Sequence, residues 1–122
     1  MFITKPISRQ KTFTRINFYE NIKFEIAGKE FAGTLKDFSV GGLLLFSTYK
    51  PRTGEKIRLT LIVDEEPITL EGEVMRVDDQ GFAVKYTYID DANLSRLRKI
   101  FLKYLPANRV EKELEEFLNG IY

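Results

Sequence analysis

Between Ile16 and Ile89 the chain alternates apolar and polar side chains in stretch after stretch, with turn-forming residues between them. Ile16 and Phe18, then Ile22, Phe24 and Ile26, recur at every second position. Ile57, Leu59, Leu61 and Val63 alternate with Lys56, Arg58 and Thr60, and Ile68, Leu70, Gly72 and Val74 alternate with Thr69, Glu71 and Glu73. A period of two places the apolar set on one face of a strand. Ala27-Gly28-Lys29 and Asp78-Asp79-Gln80-Gly81 are turn-sized interruptions. No helical period separates these strands, so the crossovers of a parallel sheet are missing. An antiparallel sandwich or small barrel, an all-β core, is what remains.

Past residue 89 the period changes. Leu94, Leu97, Phe101 and Leu105 form a helical stripe, with Asp90 and Asp91 as cap candidates and Pro106 as the stop. A second stripe follows: Val110, Leu114, Phe117, Leu118 and Ile121, with Glu111, Glu113, Glu115 and Glu116 largely opposite as a solvated face. The first helix is expected to pack on the β unit. The second packs there too or against a partner chain, which opens a homodimer through the C-terminal helix. The chain thus divides into a basic leader over residues 1–15, expected to be flexible without a ligand, a β unit with a packed helix over 16–105, and a helical extension over 106–122.

Composition removes whole classes of function. The 122 residues are 43% hydrophobic, enough for a core in one domain. There is no Cys and no His, which excludes thiolate nucleophiles, imidazole bases and the commonest zinc and iron–sulfur ligand sets. Carboxylates, Lys, Tyr and Ser remain, so catalysis is disfavoured and the reading is of a non-enzyme. A net charge of +1, from 19 Lys+Arg against 18 Asp+Glu, argues against a nucleic-acid coat. The longest apolar run, Gly41 to Phe46, is far short of a membrane span, and the N-terminus carries no secretory pattern. The expected setting is the cytoplasm.

Two segments carry candidate chemistry. The leader holds Lys5, Arg9, Lys11 and Arg15 and no acidic residue. If residues 9–15 are extended, Arg9, Lys11, Phe13 and Arg15 share one side. Cations with an aromatic suit a ligand bearing both phosphates and flat bases, and an Arg fork matches phosphate oxygens or a guanine edge. The competing reading is a solvated terminus. The second segment is Asp37-Phe38-Ser39-Val40-Gly41-Gly42, in which Asp37 and Ser39 share a face when extended. Gly42, beside Gly41, points to a positive φ or to close approach by a ligand. Here the competing reading is an Asx/Ser turn joining two strands. The carboxylate clusters Asp64-Glu65-Glu66 and Asp78-Asp79 fall in turns and read as solvated.

Taken together, the basic cluster, the intervening strands, the Asp-x-Ser-x-x-Gly segment and the apolar strand after it resemble the PilZ domain family. Its signature is an RxxxR segment followed by (D/N)xSxxG. The second motif is complete in Asp37, Ser39 and Gly42; the first appears as Lys11-Thr-Phe-Thr-Arg15, with only its second arginine intact. The stretches Glu71 to Val77 and Gly81 to Tyr86 are similar to the family's late hairpin, and a helix from about Asn93 is in the family's place. The resemblance spans roughly residues 9–105.

That resemblance implies a six-stranded antiparallel β-barrel with C-terminal α-helices that binds the bacterial second messenger cyclic di-GMP. By position, Arg15, Asp37, Ser39 and Gly42 match the family's binding residues directly, and Lys11 matches imperfectly. Arg9 matches no motif position but can supply a guanidinium where Lys11 lacks one. No metal or resident cofactor is implied. The output would run through an effector protein, with the leader ordering over the ligand. Two other readings stay open: a PilZ-like protein–protein adaptor that does not bind the nucleotide, and a small barrel that binds nucleic acid through residues 5–15.

Overall fold

The structure is a computed structural model that describes residues 13–63 and 65–121. Six strands, β1 (Ile16–Ile26), β2 (Lys29–Phe38), β3 (Gly42–Phe46), β4 (Lys56–Val63), β5 (Glu66–Val77) and β6 (Gly81–Tyr88), precede two helices, α1 (Asp91–Phe101) and α2 (Ala107–Ile121). The strands close into a barrel in the order β1-β2-β3-β6-β5-β4. All neighbours are antiparallel, and the ring is sealed where Phe24 of β1 faces Leu59 of β4. Of the two antiparallel architectures open from the alternation, the chain adopts the barrel, which leaves no unpaired sheet edge.

The alternating residues are the ones that fill it. Ile22, Phe24 and Ile26 meet Ile57, Leu59 and Leu61, Ile68, Leu70 and Val74, and Phe82, Val84 and Tyr86, all buried. Phe24 sits edge-on to Phe82 with centroids 5.4 Å apart. Each such side chain contributes about 1.5–3 kcal/mol of transfer free energy on burial. The β2–β3 pairing shifts register between Leu35 and Asp37. This bulge lets Leu35 and Phe38 both lie fully buried while Asp37 pairs with Leu44 on the outer side.

The helices close one end of the barrel. Asp90 caps α1, its Oδ1 accepting from the Asn93 backbone N–H at 2.8 Å. Leu97, Ile100 and Phe101 are buried, and the Phe101 ring lies 4.9 Å from that of Phe38. The helix stops at Phe101, short of Leu105, where the stripe in the sequence ended. Pro106 disfavours helical geometry at the residue before it, and the intervening segment is a turn. On α2, Val110, Leu114 and Phe117 are buried, with Phe117 edge-on to Tyr86 at 6.0 Å. The second helix therefore packs on its own barrel. Of the stripe, Val110, Leu114 and Phe117 are taken up inside the chain, while Leu118 is half-buried and the Ile121 side chain lies outside the described ones. No described helix is long and apolar enough to cross a membrane.

Candidate functional site

The two segments singled out in the sequence meet at the end of β2. Arg15, the residue before β1, donates from Nη1 to Oδ1 of Asp37 at 2.5 Å. The Asp37 side chain is 9% exposed and that of Arg15 is 55% exposed. The Asp37 side chain is thus covered, while about half of the Arg15 side chain, which ends in a fork with five N–H donors, faces solvent.

Ser39 turns inward. Its Oγ accepts from the backbone N–H of Gly41 at 3.2 Å and of Gly42 at 3.3 Å, and its own N–H donates to the Gly42 carbonyl at 2.8 Å. The hydroxyl therefore shapes the loop, as in the turn reading of this segment. Gly42 has no positive φ; among the described residues that conformation belongs to Ala27, Gly28, Gly54 and Glu65. Its need is steric. A Cβ at Gly42 would run into the Val84 carbonyl oxygen of β6, so the close approach is by a strand. The loop is strapped to β6 again by the Tyr86 N–H, which donates to the Gly41 carbonyl at 3.0 Å.

Gly41 has its own neighbour. A Cβ there would come within 2.7 Å of the Phe13 ring, which occupies the space the glycine leaves. Phe13 is also edge-on to Phe117 of α2, centroids 6.4 Å apart. Between Phe13 and Arg15, Thr14 donates its backbone N–H to Glu113 Oε1 at 3.0 Å and its hydroxyl to Oε2 at 2.7 Å. Glu113 thus departs from the solvated acidic face expected of α2. It was not recognisable as a site residue, because nothing near it in the chain distinguishes it from Glu111 or Glu115. Tyr19 of β1 is 68% exposed. Lys85 lies directly across from Gly42 in the β3–β6 register and is also exposed, a cation outside both sequence motifs.

Beneath the loop lies Tyr86, fully buried, whose hydroxyl has no hydrogen-bond partner among the described residues. Burial pushes its pKa far above the ordinary tyrosine value; Arg15 opposes this and Asp37 reinforces it. Arg9 and Lys11 lie outside the described residues. No group of Asp and Glu among the described residues could hold a metal ion.

The site thus joins a closed six-stranded antiparallel barrel to a leader arginine clamped on its Asp-x-Ser-x-x-Gly loop, the arrangement of a small β-barrel domain. The model of the PilZ domain family matches residues 9–103, and the chain belongs to that family. Solved structures agree on the fold. The PilZ domain of CeSA from a cellulose-synthesizing bacterium has 19% identity and a TM-score of 0.60, covering 72% of this chain and 95% of that one. The Bacillus subtilis inhibitor of motility (MotI/DgrA) has 16% identity and a TM-score of 0.65, with 81% and 55% covered. The Borreliella burgdorferi PlzA protein, in a complex with cyclic di-GMP, has 15% identity and a TM-score of 0.58, with 72% and 39% covered. The chain therefore spans about half of the second protein and two fifths of the third. No curated protein matches the sequence.

Proposed function

We propose that the chain is a cyclic di-GMP receptor module without catalytic activity of its own. The observation that carries the reading is the Arg15–Asp37 pair, which holds a half-exposed guanidinium at the rim of the Asp-x-Ser-x-x-Gly loop. A guanidinium so held offers its free N–H groups to a phosphate or a guanine edge with little further loss of freedom. Membership of the PilZ family and the similarity to PlzA, whose structure contains cyclic di-GMP, support the choice of ligand. In this reading Arg15 is the direct ligand contact, joined by Lys11 and Arg9 from the leader. Asp37 orients Arg15, while Ser39 and Gly42 set the loop. The ligand orders the leader, and that ordering alters the surface offered to an effector protein.

Isothermal titration with cyclic di-GMP tests the reading, with a saturable heat at micromolar ligand as the expected result. A folded sample giving no heat at high micromolar ligand rejects it. The second reading, a protein–protein adaptor, draws on the inward bonding of the motif: Asp37 is spent on Arg15 and Ser39 on its own loop. It predicts no nucleotide heat and capture of the same partner with or without cyclic di-GMP.

A further inference from the structure

Three consecutive leader residues are each held by a different device. Phe13 lies against Phe117 and over Gly41, Thr14 gives both of its donors to the Glu113 carboxylate, and Arg15 is bound to Asp37. Glu113 and Phe117 both belong to α2, which begins at Ala107, beyond the residues 9–103 matched by the family model. The Thr14–Glu113 contact restrains main chain and side chain together, since one carboxylate takes the backbone N–H and the hydroxyl of the same residue. The residues so restrained stand in the middle of Lys11-Thr-Phe-Thr-Arg15, between its two cations.

A segment that must close on a ligand loses conformational freedom when it does so. One already fixed at Thr14 has lost part of that freedom beforehand. We propose that α2 is a positioning element of the nucleotide site, with Glu113 and Phe117 holding Phe13 and Thr14 so that Arg15 meets the ligand already in place. Linkage makes the effect mutual: if the seated helix favours ligand binding, the bound ligand favours the seated helix by the same factor. Phe117 rests on Tyr86, whose buried hydroxyl has no partner among the described residues, so the seat of α2 is not the tightest this barrel end allows. It leaves room for the ligand to strengthen it. In this scheme α2 carries ligand occupancy to the rest of the surface, and Glu113 positions the leader without touching the nucleotide.

The inference rests on the cyclic di-GMP reading for its ligand, but the hold of α2 on the leader is tested without one. In the free full-length chain, Glu113→Ala speeds tryptic cleavage after Arg15 and deuterium uptake at Thr14. Glu113→Gln, which keeps an acceptor for the Thr14 N–H, stays near wild type. With cyclic di-GMP, Glu113→Ala weakens binding about three- to tenfold, with the loss in the entropy of binding. The ligand slows amide exchange across α2 in the wild-type chain but not in Glu113→Ala. Equal cleavage and exchange in the free proteins overturns the hold itself. Binding by Glu113→Ala as tight as, or tighter than, wild type overturns the positioning role, as does faster α2 exchange on adding ligand. A wild-type chain that gives no heat with cyclic di-GMP overturns both the ligand reading and the site that α2 would serve, whatever the cleavage shows.

Discussion

Arg15 and Asp37 form an ion pair at 2.5 Å between a half-exposed guanidinium and a covered carboxylate, joining the leader to the end of β2 across 22 residues of sequence. The asymmetry of burial decides what each half does. Asp37 has little access to water and relies on Arg15, whereas Arg15 keeps donors free. Arg15→Ala is therefore expected to act twice: it abolishes cyclic di-GMP binding, and it lowers stability by about 1–2 kcal/mol by stranding a covered charge. That figure is smaller than for a fully buried pair, because half of this one is wet. Urea unfolding of Arg15→Ala and of Arg15→Ala/Asp37→Asn separates the two effects, with the double variant recovering stability but not binding. Unchanged affinity in Arg15→Ala refutes the assignment of the site.

Gly42 is held to its identity by β6. Because a Cβ would meet the Val84 carbonyl, Gly42→Ala must push β3 and β6 apart or twist the loop. We expect a loss of about 1–3 kcal/mol, the usual range for overpacking, seen as a lower urea midpoint. The Ser39 bonds to the Gly41 and Gly42 amides are disturbed with it. A variant as stable as wild type would show that the approach of the two strands is softer than the geometry implies.

The barrel was legible because strand period is a local property: Ile57, Leu59 and Leu61 announce an inward face whatever they pair with. Closure into a ring with β1 beside β4 was not local, and came instead from the family resemblance. The same division runs through the site. Asp37, Ser39 and Gly42 lie within six residues and were recognisable as a unit. The reason for Gly42 was not, because Val84 stands on another strand. Thr14 and Glu113 are 99 residues apart, and the sequence assigned one to a flexible leader and the other to a solvated helix face. Both assignments follow from single-segment patterns, and only the docking of α2 against the barrel end replaces them with a contact. The register shift ahead of Asp37, which turns its carboxylate outward, leaves no mark in the apolar pattern.

Lys11 carries the charge of a motif arginine without its fork. A bidentate Arg–guanine contact contributes about 1–3 kcal/mol of discrimination, so Lys11→Arg is expected to tighten cyclic di-GMP binding roughly tenfold. Calorimetry on the single variant is sufficient. If affinity does not rise, Arg9 already supplies the second guanidinium, and Arg9→Ala then produces the larger loss.

Acid should loosen the α1 end and the β5–β6 turn together. The Asn93 backbone N–H, then its side-chain amide, hold the Asp90 carboxyl below the ordinary aspartate value. The backbone N–H groups of Gln80 and Gly81 do the same for Asp78. With a native pKa below the unfolded one, each group's contribution is complete above the unfolded value, near pH 4, and drains away as pH falls through the lower native value. Asp90→Asn keeps a capping acceptor that does not titrate. Urea midpoints between pH 7 and pH 3 should therefore fall less steeply in Asp90→Asn than in wild type. Identical slopes would mean that Asp90 is not part of the acid response.

Tyr86 tests how the barrel end is built. Its ring is fully buried, edge-on to Phe117, and the hydroxyl meets no partner among the described residues. Leaving such a group unsatisfied costs about 1–3 kcal/mol, whereas a hydroxyl that makes a hydrogen bond contributes about 0.5–1.5. The sign of Tyr86→Phe thus distinguishes the two situations, since the aromatic contact with Phe117 survives the change. We expect Tyr86→Phe to raise stability by about 1 kcal/mol in urea unfolding. A loss of similar size would place a partner for the hydroxyl at the barrel end and remove the built-in weakness from the seat of α2. A gain, together with slower exchange in α2, would show that the tyrosine keeps the helix less firmly seated than the barrel allows, which is the margin a bound ligand can then close.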